Sequence, residues 1–161
     1  IYHLGFLLGP RINAGGRVGK CSHGANLLLN KNPKHSFQLA SELDQYNKER
    51  QMLEKDLLQK ILNETKDYSN DPVLIMSGKN WHEGVIGIVA ARLKDKFNKP
   101  VILISLDGEV GKASARSIIG FDIGAVIIAA TQENILLKGG GHKMAGGFSI
   151  HFKKISMFKS T

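Results

Sequence analysis

The 161-residue chain has one cysteine, four prolines and no long apolar run, and these shortages exclude several classes of protein. A lone Cys21 cannot form an internal disulfide, so the chain is not a disulfide-stapled secreted scaffold. No apolar stretch approaches the roughly 20 residues of a membrane-spanning helix. The N-terminal residues lack the charged and apolar regions of a secretory signal peptide. We therefore expect a globular protein of the cytoplasm.

Motifs that hold catalytic metals are also missing. The sequence has no C-x-x-C, no histidines at H-x-x-x-H spacing and no cluster of aspartates. The phosphate-loop signature G-x-x-x-x-G-K-[ST] is absent too. Because phosphodiester cleavage usually needs divalent metals held by carboxylates and histidines, the sequence predicts no catalytic metal site in this chain.

Acidic residues are absent from the first 41 positions, and the basic excess follows the glycine-rich ends of the chain. The formal net charge is +8. Residues 1–41 and 110–161 each carry an excess of five positive charges, whereas residues 42–109 carry an excess of two negative ones. Solvated lysines on an ordinary basic protein would explain the total. The segregation of the charge favours a phosphate-bearing partner such as nucleic acid.

The pattern of apolar residues predicts an α/β protein. Pro10 and its neighbouring glycines exclude a continuous helix over residues 9–19, and a short helix follows over residues 23–30. From about Ser36 to Asp67 apolar residues recur every three or four positions without Pro or Gly, which predicts one long linker helix. Apolar strands and amphipathic helices then alternate, which predicts a mixed β-sheet with flanking helices.

The elements of this second part can be placed approximately. We expect strands within 72–78, 99–108 and 109–118, helices within 83–98 and 121–134, and a last strand that ends near 152. The second and third strands pair through a turn at Asp107–Gly108. The glycine-rich residues 136–147 are predicted to form a loop or a short helix.

Two arginines flank Asn13 in the stretch GPRINAGGR, Gly9–Arg17, which we expect to be a loop. Arg11 and Arg17 each offer a planar fork that binds phosphate oxygens through two bonds. A surface turn with solvated arginines is the alternative explanation.

The stretch GKASARS, Gly111–Ser117, alternates small and polar residues. In an extended strand Ser114 and Arg116 point to the same face, with Lys112 beside them. A hydroxyl, a guanidinium and an ammonium on one face suit an anion. The alternative is an ordinary solvent-facing side of a sheet.

The stretch GGGHKMAGG, Gly139–Gly147, surrounds His142 with five glycines. Consecutive N–H groups of Gly139, Gly140 and Gly141 would form an anion-binding nest, strengthened if a helix begins there. His142 would donate to a phosphate or move a proton. A tight turn with a structural histidine is the alternative.

Trp81 and His82 follow a predicted strand, at the end where α/β sheets usually bind ligands. We expect Trp81 to close the core rather than stack on a base.

These four stretches resemble, in the same order, motifs of the RecJ family of single-strand-specific exonucleases. GPRINAGGR resembles GPRINAAGR, and WHEGVIGIVAARL resembles WHxGVIGIVASRL. GKASARS and GFDIGAV resemble GKGSARS and GFDLG, and LLKGGGHKMAGGFSI resembles LLxGGGHxxAAGF. Gly15 and Gly146 stand where the family has alanine. The resemblance covers roughly residues 4–152.

The resemblance implies part of a two-domain enzyme of the DHH phosphoesterase superfamily. The other domain would hold Mn²⁺ or Mg²⁺ through aspartates and a DHH motif, which this sequence lacks. We therefore expect a piece of a longer protein that binds no metal and is inactive alone. The implied organisation is a tail of the metal-binding domain at 1–33, a connecting helix at 34–69, the DHH-associated domain at 70–153 and a further segment from 154 to 161.

The resemblance also implies roles for residues. Ser114 and Arg116 would hold the 5′-terminal phosphate of a DNA strand, assisted by Arg11 or Arg17. The backbone of the glycine triplet and His142 would grip the phosphate near the scissile bond, with His142 stabilising its charge. Further candidate contacts are Asn13, Lys112 and His82.

The implied function is 5′→3′ hydrolysis of single-stranded DNA in repair and recombination, with a single-strand-binding protein or helicase as partner. Two alternatives stay open. One is a non-catalytic nucleic-acid-binding module. The other is a DHH-type oligonucleotide or phosphoadenosine phosphatase, which shares the GGGH motif but not the other three motifs as a set. An aspartate-rich DHH domain upstream in the gene would favour the exonuclease, and its absence would favour the module.

Overall fold

The structure, a computed structural model, describes residues 1–64 and 71–160. The chain divides into two units, Ile1–Asp56 and Leu57–Thr161, whose boundary falls inside one long helix. The predicted end of the connecting helix, near YSNDP, lies outside the described residues. Within the described part, no helix combines the length and the apolar character needed to cross a membrane.

The first unit is helical from its start. Its elements are a π-helical segment at His3–Leu8, α1 at Gly9–Val18, α2 at Ser22–Leu29 and the first part of α3, Pro33–Glu64. The prediction that residues 9–19 are not a continuous helix is therefore wrong, whereas the short helix α2 is confirmed. Pro10 lies at the first positions of α1, where its fixed φ suits a helix.

Gly15 of α1 and Gly24 of α2 serve close packing rather than a loop. A Cβ atom at Gly15 would lie 2.8 Å from the carbonyl oxygen of Lys20 and 3.2 Å from Cδ2 of Leu43. A Cβ atom at Gly24 would lie 2.9 Å from the carbonyl oxygen of Ile12. The side chain is missing at these positions because a neighbouring segment occupies its space.

Helix α3 confirms the predicted long helix. Its first residue is Pro33, and the Asn32 side chain accepts from the backbone N–H of Lys34 at 3.0 Å. Such a side-chain acceptor satisfies one of the N–H groups that a helix start leaves unpaired. Leu39 and Leu43, four residues apart, are buried on one face of the helix.

The second unit is built on a five-stranded mixed sheet, which confirms the predicted fold class. The strands are β1 at Leu74–Lys79, β2 at Val101–Asp107, β3 at Val110–Arg116, β4 at Lys138–His142 and β5 at Ala145–His151. Their order is β1-β2-β3-β5-β4. Strands β1 and β2 pair in parallel, and the other neighbours pair antiparallel. The predicted turn between β2 and β3 is confirmed, with Gly108 at φ 58°.

Helices cover the two faces of the sheet. Helix α4, Glu83–Phe97, packs on β2 and β3, and helix α5, Ile123–Gln132, packs on β4 and β5. We call the two faces the α4 side and the α5 side. The core on the α5 side includes Ile102, Ile104, Ala113, Ala115, Ile123, Ile127, Phe148 and Ile150, with Phe158 of the final helix α6, Ile155–Ser160.

The glycine-rich stretch is a β-hairpin. Strands β4 and β5 meet at the turn Lys143–Met144, so the prediction of a loop or short helix is wrong. A Cβ atom at Gly139 would lie 2.7 Å from Cγ2 of Ile127, and one at Gly146 would lie 2.5 Å from its Cδ1. Glycine within a strand often marks such a close approach. The two glycines let α5 lie against the hairpin.

Candidate nucleic-acid interface

Nine residues form three cross-strand rows on one face of β3, β5 and β4. The rows are Arg116–Ala145–His142, Ser114–Gly147–Gly140 and Lys112–Ser149–Lys138. We call these nine residues the basic face. Side chains alternate along a strand, and Gly111, Ala113, Ala115, Phe148 and Ile150 are buried in the core on the α5 side. The basic face therefore lies on the α4 side.

Ser114 and Arg116 lie beside α4, and their predicted shared face is confirmed. Nη1 of Arg116 donates to Oγ of Ser114 at 3.1 Å and to the carbonyl oxygen of Ala115 at 2.7 Å. Both side chains are half-buried. A guanidinium and a hydroxyl at this separation can contact oxygens of a single phosphate.

Helix α4 leaves room for these two side chains at Gly87. A Cβ atom there would lie 2.9 Å from Oγ of Ser114 and 3.0 Å from Nη2 of Arg116. Both distances are shorter than ordinary van der Waals contacts. Glycine at this position thus shapes the basic face without contributing a side chain to it.

Lys112 is anchored to the first turn of α4. Its Nζ donates to Oε2 of Glu83 at 2.9 Å, and this hydrogen bond raises the pKa of Lys112 above its ordinary value. Glu83 also lies where the positive end of the helix dipole favours an acid. Lys112 therefore stays charged at neutral pH while sharing its charge with a carboxylate.

One ring nitrogen of His142 bonds within the hairpin turn, and the other, Nε2, points away from the turn. Nδ1 accepts from the backbone N–H of Met144 at 3.3 Å, and the side chain is exposed. A neutral ring that accepts at Nδ1 carries its proton at Nε2. His142 thus offers an Nε2–H donor on the basic face.

The backbone around His142 is held by the residue that follows β3 and by the start of α5. The carbonyl oxygens of Met144 and Lys143 accept from the N–H groups of Ser117 at 2.9 Å and Ile123 at 3.4 Å. A Cβ atom at Gly124 would lie 3.0 Å from the carbonyl carbon of His142. These contacts fix the hairpin turn, and they fix His142 with it.

The predicted nest of consecutive N–H groups is wrong. In a β-strand successive N–H groups point in opposite directions, so Gly139, Gly140 and Gly141 cannot aim three of them at one anion. What the glycines provide instead is a bare surface. Within the described residues no atom lies within 4 Å of a Cβ built at Gly140, and Gly147 beside it is exposed.

His82 and Trp81 have different roles at the start of α4. Nδ1 of His82 accepts from the N–H of Gly84 at 3.1 Å, so this exposed ring caps the helix. Trp81 is 6% exposed and packs on Gly78, while its carbonyl oxygen accepts from Oγ of Ser105 at 2.5 Å. The prediction that Trp81 closes the core is confirmed.

The remaining candidates belong to α1 in the first unit. Arg11 donates through Nε to Oδ1 of Asp44 and through Nη1 to the carbonyl oxygen of Leu7, both at 2.8 Å. Asn13 and Arg17 are exposed and four residues apart, so they share one face of the helix. Because α1 is a helix and not a loop, Arg11 and Arg17 do not flank Asn13 on a common surface.

No site for a metal ion is found among residues 1–64 and 71–160, because no three His, Cys, Asp or Glu side chains converge there. A cavity of about 580 Å³ lies on the α5 side, lined mainly by apolar residues such as Ile75, Val126 and Phe158. Since Ile102 and Ile123 of the α5-side core also line it, this cavity does not border the basic face.

Lys138, Ser149 and Glu83 were not recognised as site residues from the sequence. Lys138 and Ser149 could have been found by counting in steps of two from His142 and Gly147, had the hairpin been predicted. The Glu83–Lys112 pair, 29 positions apart, has no local sequence signal.

Comparison with known proteins identifies relatives over both units. Residues 70–159 match the family model of the DHHA1 domain. The single-stranded-DNA-specific exonuclease RecJ of Haemophilus influenzae is 38% identical over 164 residues, which is 97% of this chain and 28% of that protein.

Solved structures give the same result. RecJ from Thermus thermophilus in complex with Mn²⁺ matches with a TM-score of 0.88 and 32% identity over 98% of this chain and 23% of its own. Its complex with Mg²⁺ matches equally well over 24% of that chain. The chain thus spans about a quarter of the length of these relatives. It is homologous to the RecJ exonucleases over nearly all of its length, and it belongs to the DHHA1 domain family.

Proposed function

We propose that this chain is the substrate-binding part of a longer, metal-dependent 5′→3′ exonuclease for single-stranded DNA. One observation carries the proposal. In a chain 38% identical to a RecJ exonuclease, the paired Arg116 and Ser114 share a sheet face with the Nε2–H donor of His142. Such a set of hydrogen-bond donors suits successive oxygens of a nucleic-acid backbone.

Ser114 and Arg116 hold the terminal 5′-phosphate. The 3.1 Å bond between Nη1 and Oγ orients both groups, so little side-chain freedom is lost when a phosphate binds. A terminal phosphate carries more charge than an internal phosphodiester and is a better partner for the guanidinium. This difference gives the enzyme its preference for a 5′-phosphorylated end.

His142 acts at the phosphate near the scissile bond. Its Nε2–H donates to a non-bridging oxygen and stabilises the charge that develops during attack. The hydrogen bond from Met144 to Nδ1 keeps the proton at Nε2, and the hairpin turn keeps the ring in place. An arginine of α1, Arg11 or Arg17, assists in binding the strand.

The divalent metal, Mn²⁺ or Mg²⁺ as in the Thermus complexes, is held by a domain outside this chain. When bound, it supplies a water activated for attack on phosphorus. We assign residues 1–33 to the end of that domain, 34–69 to the connecting helix, 70–153 to the DHH-associated domain and 154–161 to a following segment. The complete enzyme acts in DNA repair and recombination in the cytoplasm.

The test compares oligothymidylates with a 5′-phosphate and a 5′-hydroxyl. The chain binds the phosphorylated strand more tightly, and Arg116→Gln abolishes this preference while keeping the melting temperature. Lys96→Gln, which removes one charge from the exposed last turn of α4, is the matched control and keeps it. Equal binding of both strands by the unsubstituted chain would refute the phosphate site. If the chain binds DNA but the full-length gene product does not cut it, the alternative of a non-catalytic nucleic-acid-binding module is favoured.

A further inference from the structure

The sheet face that carries the basic face continues by one row beyond the lysines, and this row ends in two aromatic rings. Val110 of β3 pairs with His151 of β5, two positions after Ser149, so both side chains lie on the α4 side. The ring of Phe152 stacks on the ring of His151, with their centroids 5.2 Å apart and their planes at 29°. We call His151 and Phe152 the aromatic pair. The pair directly follows the stretch LLKGGGHKMAGGFSI and is not part of it.

The aromatic pair is held in place by the turn between β2 and β3. Nδ1 of His151 accepts from the N–H of Lys153 at 3.4 Å, and its Nε2 lies 3.4 Å from Oε2 of Glu109. The N–H of Phe152 donates to the carbonyl oxygen of Glu109 at 2.9 Å. Because these bonds already orient the rings, a ligand that stacks on them removes little further side-chain freedom.

The ring of Phe152 is accessible to an incoming nucleobase. Phe152 is 43% exposed, and Nζ of Lys153 lies 5.8 Å from its ring centroid. Such an exposed cation–π contact is weaker than the stacking of a base on an aromatic ring. Lys153 is itself exposed and long, so a base can take its place over the ring while the ammonium moves to an adjoining phosphate. Glu109 beside the pair repels a phosphate but not a neutral base.

The distance from the scissile phosphate determines which nucleotide reaches the aromatic pair. His142 lies in the same row as Ala145 of β5, and His151 follows Ala145 by six positions. Six residues of a β-strand span about 20 Å. DNA covers roughly 3.4 Å per nucleotide when it is stacked as in a duplex, and up to about twice that when it is extended. A DNA strand that runs from His142 along the bare glycines and the lysine row therefore brings a base to the pair about three to six nucleotides after the scissile phosphate.

We propose that the aromatic pair is a base-stacking subsite for the part of the DNA strand that follows the scissile phosphate. This inference rests on the proposed function of the basic face. It leaves the terminal phosphate at Ser114 and Arg116 and the scissile phosphate at His142. Every base has a π-face, so the subsite holds a single strand without selecting its sequence. Bases in a duplex already stack on their neighbours, so the subsite also favours single-stranded DNA.

A structural explanation exists for the same two residues. His151 caps the short 3₁₀-helix Phe152–Lys154, and the stacked rings would then serve only to fix the end of β5. That role requires the folded protein but no base. The two explanations differ in what Phe152→Ala changes, since only a stacking contact makes the loss of affinity depend on a base in the DNA.

The first test measures binding of a 5′-phosphorylated thymidine dinucleotide and of an oligothymidylate of about twelve nucleotides to the 161-residue chain. Phe152→Ala weakens binding of the longer strand by roughly fivefold to thirtyfold and leaves the dinucleotide unchanged. Because no charge is lost, the slope of log K against log salt stays the same. Phe152→Trp keeps the affinity, and the longer strand quenches the fluorescence of the new indole. Phe97→Ala, at a phenylalanine 37% exposed at the end of α4, is the matched control and keeps wild-type binding.

A second test removes the bases instead of the ring. Abasic residues in the part of the longer strand that reaches the aromatic pair weaken its binding to the unsubstituted chain by about the same factor as Phe152→Ala. On this abasic strand Phe152→Ala causes no further loss, because the two changes remove the same contact.

The variants separate failure of this inference from failure of the proposed function. If Arg116→Gln loses the 5′-phosphate preference while Phe152→Ala behaves like Phe97→Ala, the stacking subsite is refuted and the proposed function stands. If Phe152→Ala weakens intact and abasic strands equally, or if its only effect is a lower melting temperature, Phe152 is a structural residue and the subsite is overturned. If neither Arg116→Gln nor Phe152→Ala changes binding, the basic face is not the DNA site.

Discussion

Gly87 of α4 approaches Arg116 of β3 so closely that a Cβ atom at Gly87 would lie 3.0 Å from Nη2. The same atom would lie 2.9 Å from Oγ of Ser114. Helix α4 therefore forms a wall of the proposed phosphate site, although Gly87, which lies next to Ser114 and Arg116, has no side chain. This explains why a glycine stands at position 87 within helix α4, where glycine costs stability.

Gly87→Ala is expected to weaken binding of 5′-phosphorylated DNA and to reduce the 5′-phosphate preference. The added methyl group displaces Ser114 or Arg116 from its place. Because alanine stabilises a helix by up to about 1 kcal/mol relative to glycine, the melting temperature should not fall much. Gly16→Ala in α1 is the control, since no described atom lies within 4 Å of a Cβ there. If Gly87→Ala keeps the full 5′-phosphate preference, the terminal phosphate does not bind beside Gly87.

Glu83→Gln should tighten DNA binding and lower stability at the same time. Losing the carboxylate releases Lys112 and steepens the salt dependence by up to about 0.7 in slope. It also removes a favourable charge from the first turn of α4, a loss of about 0.3–1 kcal/mol. Asp95→Asn makes the same charge change elsewhere on α4. If both variants bind DNA equally well, Lys112 takes no part in binding.

Within the glycine triplet, we expect Gly139 to have a structural role and Gly140 a role in DNA binding. Gly139→Ala places a Cβ 2.7 Å from Cγ2 of Ile127 and 2.9 Å from Cβ of Phe148, so we expect a loss of about 1–3 kcal/mol of unfolding free energy. Gly140→Ala meets no described atom within 4 Å and should keep its stability while weakening DNA binding. Chemical denaturation and DNA titration of both variants check this. If instead Gly140→Ala lowers stability while Gly139→Ala weakens only DNA binding, the assignment of the two glycines to a packed side and an open side of β4 is wrong.

In the proposed full-length exonuclease, His142→Ala should lower turnover more than affinity. Loss of one donor to the reacting phosphate costs roughly tenfold to a thousandfold in rate. The melting temperature should change little because the ring is exposed. Lys143→Ala, in the adjacent turn, should have a far smaller effect on turnover. If His142→Ala keeps wild-type turnover, or if its only effect is a lower melting temperature, then His142 is a structural residue.

Asp44 gives the first unit a pH-dependent contribution. Hydrogen bonds from Lys48 and then Arg11 lower the pKa of Asp44 below its ordinary value of 3.8. The pKa of Asp44 is lower in the folded state than in the unfolded state. The ionised Asp44 therefore stabilises the fold at pH values above its unfolded-state pKa. This stabilisation is lost as the pH falls through the folded-state pKa. Asp44→Asn should therefore be less stable than the parent at pH 7, and this deficit should shrink as the pH falls through the folded-state pKa of Asp44. Denaturation of both proteins over a series of pH values measures this, and a deficit that stays constant down to acid pH would contradict it.

Residue periodicity was sufficient to predict the framework. The spacing of Leu39, Leu43 and later apolar residues predicts α3, and the apolar runs predict β1 and β2, because burial of one face dominates in these segments. Glycine and proline misled the prediction in two places. Pro10 begins a helix that was expected to be interrupted, and Gly139 lies in a strand that was expected to be a loop. Pro10 suits the first positions of a helix, whereas at Gly15 and Gly139 close packing with a neighbouring segment outweighs local propensity.

The candidate site was predictable only in part. The shared face of Ser114 and Arg116 follows from strand alternation alone. The placement of His142 in the same cross-strand row as Arg116 depends on the register of β3, β5 and β4, which no local pattern encodes. The same holds for Gly87, whose role depends on where α4 crosses β3.

The most direct test of the account is an NMR titration of the isotope-labelled chain with a 5′-phosphorylated oligothymidylate. We predict shifts concentrated on the basic face, at the backbone of Ser114 and Gly140, the Nε–H of Arg116 and the ring of His142. Residues of the α5 side, such as Val126, should stay unchanged. Shifts confined to the α5 side, or the absence of any shift on the basic face while DNA binds, would contradict the account.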